Sequence, residues 1–155
     1  MQMVKSFNGA YSFLSNFYEK EFELGGIKYK TAEHAFQALK SPFVKEQEWV
    51  RSAPTPREAK RRGRKVHLRE DWDIIKDNYM RAILQAKFSD SDLELRLLGT
   101  WEQGLCEGNW WHDNYWGNCL CEKCKNIEGQ NHLGKILMEI REPIINKYIK
   151  SRKDV

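Results

Sequence analysis

Three polar residues in the segment TAEHAFQALK (31–40) have the types and spacing for proton chemistry: Glu33, Gln37 and Lys40. On a helix, positions i, i+4 and i+7 share one stripe about 60° wide. Through Phe36 that stripe borders an apolar one, so its carboxylate and amine are expected at the lip of a core. Partial burial draws both groups toward neutrality and allows proton exchange between them. From spacing alone, an exposed i, i+4 network is the commoner outcome.

Other segments hold reactive or recognition groups. GLCEGNWWHDNYWGN (104–118) places three Trp, one Tyr, one His, one Glu and one Asp in fifteen residues without apolar periodicity. Indoles in a loop are expected either to plug a core or to line a pocket, where Asp113 and Trp116-Gly117 would set a carboxylate beside a stacking surface. Cys119, Cys121 and Cys124 are spaced closely enough for three thiolate ligands, with Cys106 or His112 as a fourth. Structural zinc more often uses two separated pairs, so unliganded thiols are the preferred reading and no metal is assigned. Ser15, Asn16 and Phe17, in FLSNFY (13–18), offer small polar groups between apolar anchors, for a turn or for sugar hydroxyls. Arg57 to Arg69 is locally basic, with Arg57, Lys60, Arg61, Arg62, Arg64, Lys65 and Arg69; it reads as a solvated helix face or an anion site.

The elements that must carry these side chains are mostly helices. Phe22 and Leu24, then Gly25-Gly26, then Ile27 and Tyr29 predict a β-hairpin near the N-terminus. Thr31 caps a helix from Ala32, with Ala32, Ala35, Phe36 and Leu39 inward. Thr55-Pro56-Arg57-Glu58 is a helix start with a capping box, and Gly63 ends that helix. Asp71 to Phe88 has the longest periodicity, with Trp72, Ile75, Tyr79 and Ile83 on one stripe and Met80, Leu84 and Phe88 beside it. Ser91 and Glu94 form a second capping box before a leucine-rich helix through Leu98. Residues 101–130 read as irregular. Leu133, Ile136, Leu137 and Ile140 mark a last helix, interrupted or kinked at Pro143.

With 155 residues, 41% of them hydrophobic, the chain is expected to form one compact domain, 1–155 with its core at about 7–142. The net charge of +4 is too small to demand a nucleic-acid partner by itself. No apolar run approaches a membrane span, and MQMVKSFNGAYSF lacks a secretory segment, so a cytoplasmic protein with reduced thiols is expected.

Taken together, FLSNFY (13–18), TAEHAFQALK (31–40), AKRRGR (59–64), DWDIIKDNYMRAILQAKF (71–88), LLGT (97–100), LCE (105–107), DNYWG (113–117) and GQNHLGKILMEIR (129–141) resemble the NADAR (YbiA-like) family. Each piece is short, but the eight stand in order, and the resemblance runs from about Phe7 to Glu142. The resemblance implies a mainly α, single-domain fold and a hydrolase that cuts a ribosyl C1–N bond. Its substrates would be phosphoribosylamino-pyrimidine intermediates of riboflavin synthesis, or ADP-ribosylated guanine in nucleic acid. It points to Glu33 and Lys40, with DNYWG as a second wall. The chemistry then suggests Lys40 as a Schiff-base nucleophile, Glu33 as its proton shuttle and Asp113 as a stabiliser of C1 or of the ribose hydroxyls. Trp116 and Trp72 would stack on a base, Arg64 would meet phosphate, and Ser15, Asn16, Phe17, Gly117 and Asn131 would contact the sugar. Water suffices as co-substrate, so no cofactor is expected, nor a membrane or an obligate protein partner. The cysteine-bearing stretch after Gly117 is longer than a minimal member needs, which bears on substrate choice and not on bond type. The rivals are a non-catalytic NAD or ADP-ribose sensor, a nucleic-acid module built on 57–69, and a zinc-ribbon adaptor.

Overall fold

A computed structural model describes residues 2–154. In chain order the elements are β1 (Met3–Val4), β2 (Phe22–Leu24), β3 (Ile27–Tyr29), α1 (Ala32–Leu39), α2 (Val44–Arg51), α3 (Pro56–Gly63), α4 (Trp72–Lys87), α5 (Ser91–Leu98), β4 (Gly104–Leu105), β5 (Gly108–Asn109), β6 (Asn118–Cys119) and α6 (His132–Lys153). Short 3-10 turns lie at Gly9–Leu14 and Glu122–Cys124. The fold is mainly α, as expected. The chain forms two compact units: a helical unit, Asn16–Asp90, and a terminal unit, Met1–Ser15 with Ser91–Val155.

In the helical unit, β2 and β3 pair antiparallel about Gly25-Gly26, with Phe22 opposite Tyr29 and Leu24 opposite Ile27. Both glycines have positive φ, which a tight hairpin turn requires. Next, α1 starts where Thr31 predicts: its hydroxyl accepts the His34 N–H at 3.1 Å. Three helices, α2, α3 and α4, pack on α1, and this surrounds it. Every residue from Ala32 to Ala38 is buried, including Glu33, His34 and Gln37. The expected amphipathic helix, with its polar stripe at the lip of the core, is therefore a buried central helix. Its three inward alanines let neighbours approach, and Phe36 packs on Trp72 of α4 at 5.2 Å between ring centres. Met80, Ile83 and Leu84 of α4 are fully buried, each contributing about 1.5–3 kcal/mol by leaving water.

His34 anchors α1 to the turn before α3. Its Nε2 lies 2.9 Å from the Ala53 carbonyl and its Nδ1 2.8 Å from the Thr31 hydroxyl. That pairing sets the tautomer with the proton on Nε2, and burial lowers its pKa, keeping the ring neutral. The start of α3 is as predicted, with the Thr55 hydroxyl accepting the Glu58 N–H at 3.1 Å. The Glu58 carboxylate does not reach back to complete a box; it reaches forward to Arg61 and Arg62.

The terminal unit is built on α6, whose Leu133, Ile136, Leu137 and Ile140 are buried. It packs on α5 and on β4, which pairs parallel with β1. Glu94 again forms no reciprocal cap; its carboxylate lies 3.4 Å from Lys147 of α6. Pro143 does not interrupt α6, which runs unbroken for 22 residues. Pro143 is exposed, so its ring and its missing N–H lie on the solvent side of the helix.

Candidate active site

The polar stripe of α1 is held together by specific contacts. Gln37 donates from Nε2 to Glu33 Oε1 at 2.8 Å, and the two side chains are 4% and 7% exposed. That bond turns Gln37 Oε1 the other way, where it is buried without a protein donor. Gln37 can lie there because position 63 has no side chain: a Cβ on Gly63 would sit 2.0 Å from Gln37 Oε1. Gly63 does end α3 as expected, but the reason differs. Its φ is not positive, and the residue is small because the α1 glutamine crosses it.

Asn16 joins the same group. Its carbonyl accepts the Glu33 N–H at 3.0 Å, and its Nδ2 faces the Met80 sulfur at 3.6 Å. Its Oδ1, like Gln37 Oε1, is buried without a protein donor. Two residues that bond Glu33, one through its side chain and one through its backbone, thus each carry a buried acceptor without a protein donor, an arrangement that is costly when nothing fills it. Phe17 is 41% exposed at the edge of this unit.

One turn beyond Gln37, Lys40 ends α1. Its Nζ lies 5.6 Å from the centre of the Phe36 ring. Burial lowers its pKa; Glu33 works against that, while Arg64, Lys60 and Lys76 add to it. The amine is thus shifted toward its neutral, nucleophilic form among three cations. Lys76, from α4, was not legible as part of this group. The helix end carrying Lys40 is fixed by Arg69, whose N–H donates to the Lys40 carbonyl at 2.8 Å and whose Nε donates to the Leu39 carbonyl at 2.7 Å.

The basic run therefore divides by role. Arg69 caps α1, Arg61 pairs with Glu58, and Arg62 reaches Glu58 and the Trp49 carbonyl. Arg64 and Lys60 face Lys40 electrostatically. Trp72, expected as a stacking surface for a base, is 5% exposed, with its ring between Phe36 and Tyr79. It is a core residue.

Lys87 belongs to none of the side-chain patterns that the sequence presents for this unit. It is fully buried on α4, with its ammonium over the rings of Phe88 and Tyr18 at 5.1 and 5.7 Å. Burial lowers its pKa to about 7.

Within the terminal unit, Asp113 Oδ1 accepts the N–H groups of Tyr115 and Trp116 at 3.1 and 2.9 Å. The carbonyls of Asn114 to Gly117 accept from Gln130, His132, Leu133 and Asn131, so this segment satisfies the open N–H groups at the start of α6. Tyr115 stacks on His132 at 4.1 Å, with Trp116 edge-on to both. Gly117 is buried where a Cβ would meet the Glu107 carbonyl at 2.0 Å. The Asn131 amide accepts the Glu107 N–H and donates to the Leu105 carbonyl. Gly117 and Asn131, expected at the sugar, are thus engaged inside the unit. Ser15 closes the first 3-10 turn through its N–H to Ser12. Contrary to the expectation that loop indoles are covered, Trp110 and Trp111 are 65% and 56% exposed.

Comparison with known proteins gives these arrangements a context. Residues 4–145 match the model of the NADAR domain. The chain is 36% identical over 137 residues to the N-glycosidase YbiA of Shigella flexneri, covering 86% of this chain and 82% of that protein. It is 34% identical over 137 residues to a riboflavin biosynthesis protein of Vibrio vulnificus, covering 86% of this chain and 36% of that protein. The NMR structure of Escherichia coli YbiA superposes with a TM-score of 0.81 at 33% identity, covering 96% of this chain and 89% of the other.

Proposed function

The chain belongs to the NADAR family, and from that premise we propose that it is an N-glycosidase whose reacting groups are Lys40 and Glu33. The observation that carries this reading is their setting. A partly buried amine of lowered pKa follows Glu33 and Gln37 along one helix face, among Arg64, Lys60 and Lys76.

The reaction is ribosylamine plus water giving free amine plus ribose. The glycosidic nitrogen expels O4′, which takes a proton from water, and C1 is left as a protonated imine (iminium) of the substrate nitrogen. Neutral Lys40 adds to C1 and passes its extra proton to Glu33. Glu33 returns that proton to the departing nitrogen; the C1–N bond breaks and C1 becomes a Schiff base on Lys40. Glu33, again a carboxylate, takes a proton from the water that adds to C1 and delivers it to the Lys40 nitrogen, which leaves as the neutral amine. O4′ then adds back to the freed aldehyde, the proton it gained at opening passing to the carbonyl oxygen, so the sugar recloses. Gln37 holds Glu33 in position throughout. The acceptor oxygens of Gln37 and Asn16 suit ribose hydroxyls, and Arg64 with Lys60 suits phosphate. Asp113 and Trp116 belong to the other unit, and no step here runs through them.

As substrate we propose a phosphoribosylamino-pyrimidine of the kind formed in riboflavin synthesis. The relative in Vibrio vulnificus supports this class, and three cations of the basic run, Arg61, Arg62 and Arg69, are engaged within the protein. Incubation with that intermediate and, in parallel, with an oligonucleotide carrying ADP-ribosyl-guanine tests the proposal. Release of ribose 5-phosphate from the first supports it. Release of ADP-ribose from the second alone replaces the substrate with a modified base, and cleavage of neither moves the protein to the sensor class.

A further inference from the structure

We propose that His112, Cys119, Cys121 and Cys124 bind one structural zinc ion that clasps the loop between β5 and α6. Their four donor atoms, one nitrogen and three sulfurs, lie within 4.8 Å of one another. His112 Nδ1 is 3.3 Å from Cys124 Sγ, 3.4 Å from Cys121 Sγ and 3.8 Å from Cys119 Sγ. With zinc–sulfur bonds near 2.3 Å and zinc–nitrogen bonds near 2.0–2.1 Å, a regular tetrahedron sets nitrogen and sulfur about 3.5 Å apart. The three observed separations bracket that edge.

Hydrogen bonding does not account for the arrangement. Nδ1 of an imidazole offers one proton or one lone pair, so it can bond one sulfur and not three. A cation at the centre satisfies all four donors at once, and all four cysteines are unbridged thiols. Cys106, the other sequence candidate for the fourth ligand, is not in the group. In place of the two separated pairs usual in structural zinc sites, the cysteines form a CxCxxC knuckle with the histidine seven residues upstream, and a zinc ion there departs from the expectation of unliganded thiols.

The backbone is shaped to deliver that histidine. His112 has φ of 69°, in the left-handed region that non-glycine residues seldom occupy. Asn109, fully buried, holds the turn around it: its Oδ1 accepts from the N–H groups of Trp111 and Asp113, and its Nδ2 donates to the Asp113 carbonyl and Glu107 Oε2. On the other side, the Cys119 N–H donates to Asn114 Oδ1, and the 3-10 turn Glu122–Cys124 brings the last sulfur inward. The ligands flank Asp113–Gly117, so the ion would fasten both ends of the segment that caps α6. The strands of this stretch are only two residues long, and a metal clip would add to the side-chain hydrogen bonds that hold it.

The test is metal analysis of the full chain purified under reducing conditions without chelator. About one zinc per chain is expected, retained in Cys106→Ser and lost in His112→Ala and Cys121→Ser. If those two variants do not fold, cobalt(II) exchanged into the wild-type protein serves instead. Intense tetrahedral bands with thiolate charge transfer are expected, together with slower proteolysis within residues 109–131 than in the chelated protein. Wild-type protein that neither carries zinc nor takes up cobalt overturns the proposal. So does a metal that Cys106→Ser removes, or a cobalt spectrum without thiolate charge transfer.

Discussion

Replacing Gly63 by alanine tests the packing that orients the proposed proton shuttle. An alanine Cβ would lie 2.0 Å from Gln37 Oε1 and 2.8 Å from its Cβ and Cδ. Normal contact requires a retreat of the amide by at least about 1.4 Å, more than the 2.8 Å bond from Gln37 to Glu33 can absorb. Two effects on stability oppose each other. Alanine is the better helix former by up to about 1 kcal/mol, and the φ at position 63 permits it. Overpacking costs about 1–3 kcal/mol, and the lost hydrogen bond adds about 1 kcal/mol. The expected net result is destabilisation by about 1–3 kcal/mol, read as a lower urea midpoint at unchanged slope. Displacement of the carboxylate by about 1 Å should lower kcat/KM on the ribosylamine about 100-fold. Adding Gln37→Ala should recover part of the stability and none of the activity. A Gly63→Ala protein that is more stable than wild type and fully active would refute the reasoning, because glycine would then only mark the end of α3.

Further perturbations separate the remaining elements of the account. The lowered pKa of Lys40 places the acid limb of the kcat/KM profile below the usual range of a lysine ammonium, with activity rising as pH increases and the amine loses its proton. Lys76→Ala removes a cation that lowers that pKa, so the limb should move to higher pH; an unmoved limb would assign the titration to another group. For Lys87 the folded pKa of about 7 lies below its ordinary 10.5. The unfolded chain binds more protons between those values, so this group makes stability rise with pH from about 7 to about 10.5, with its full destabilising effect below 7. Lys87→Met should flatten that rise in denaturation measured across the same range; an unchanged slope would show that Lys87 titrates normally. Asn109→Ala removes the donors and acceptor that hold the turn at His112 and should cost about 2–4 kcal/mol, whereas a loss below about 0.5 kcal/mol would show that the turn holds without it.

Features fixed by neighbouring residues were legible before the structure. The Gly25-Gly26 hairpin, the Thr31 cap and the Thr55-Pro56 start rest on local backbone chemistry, and each formed where it was read. The Glu33, Gln37 and Lys40 stripe was legible as a pattern, but its burial was not, because α2, α3 and α4 cover α1 from sides that periodicity does not report. Lys87 follows Ile83 by four positions and Leu84 by three, so its place on the buried face was readable; its charge argued against it. Gly63 looked like a helix stop because the partner that demands a glycine, Gln37, lies 26 residues earlier. The role of His112 depends on a left-handed turn held by Asn109, which no spacing rule reveals.

Borohydride trapping during turnover of the phosphoribosylamino-pyrimidine, followed by peptide mapping, tests the central claim most directly. A reduced sugar adduct on Lys40, absent from an inactive Lys40→Ala protein that folds normally, is the predicted result. Turnover that survives Lys40→Ala, or an adduct that maps to Lys87 instead, would contradict the assignment of Lys40 as nucleophile.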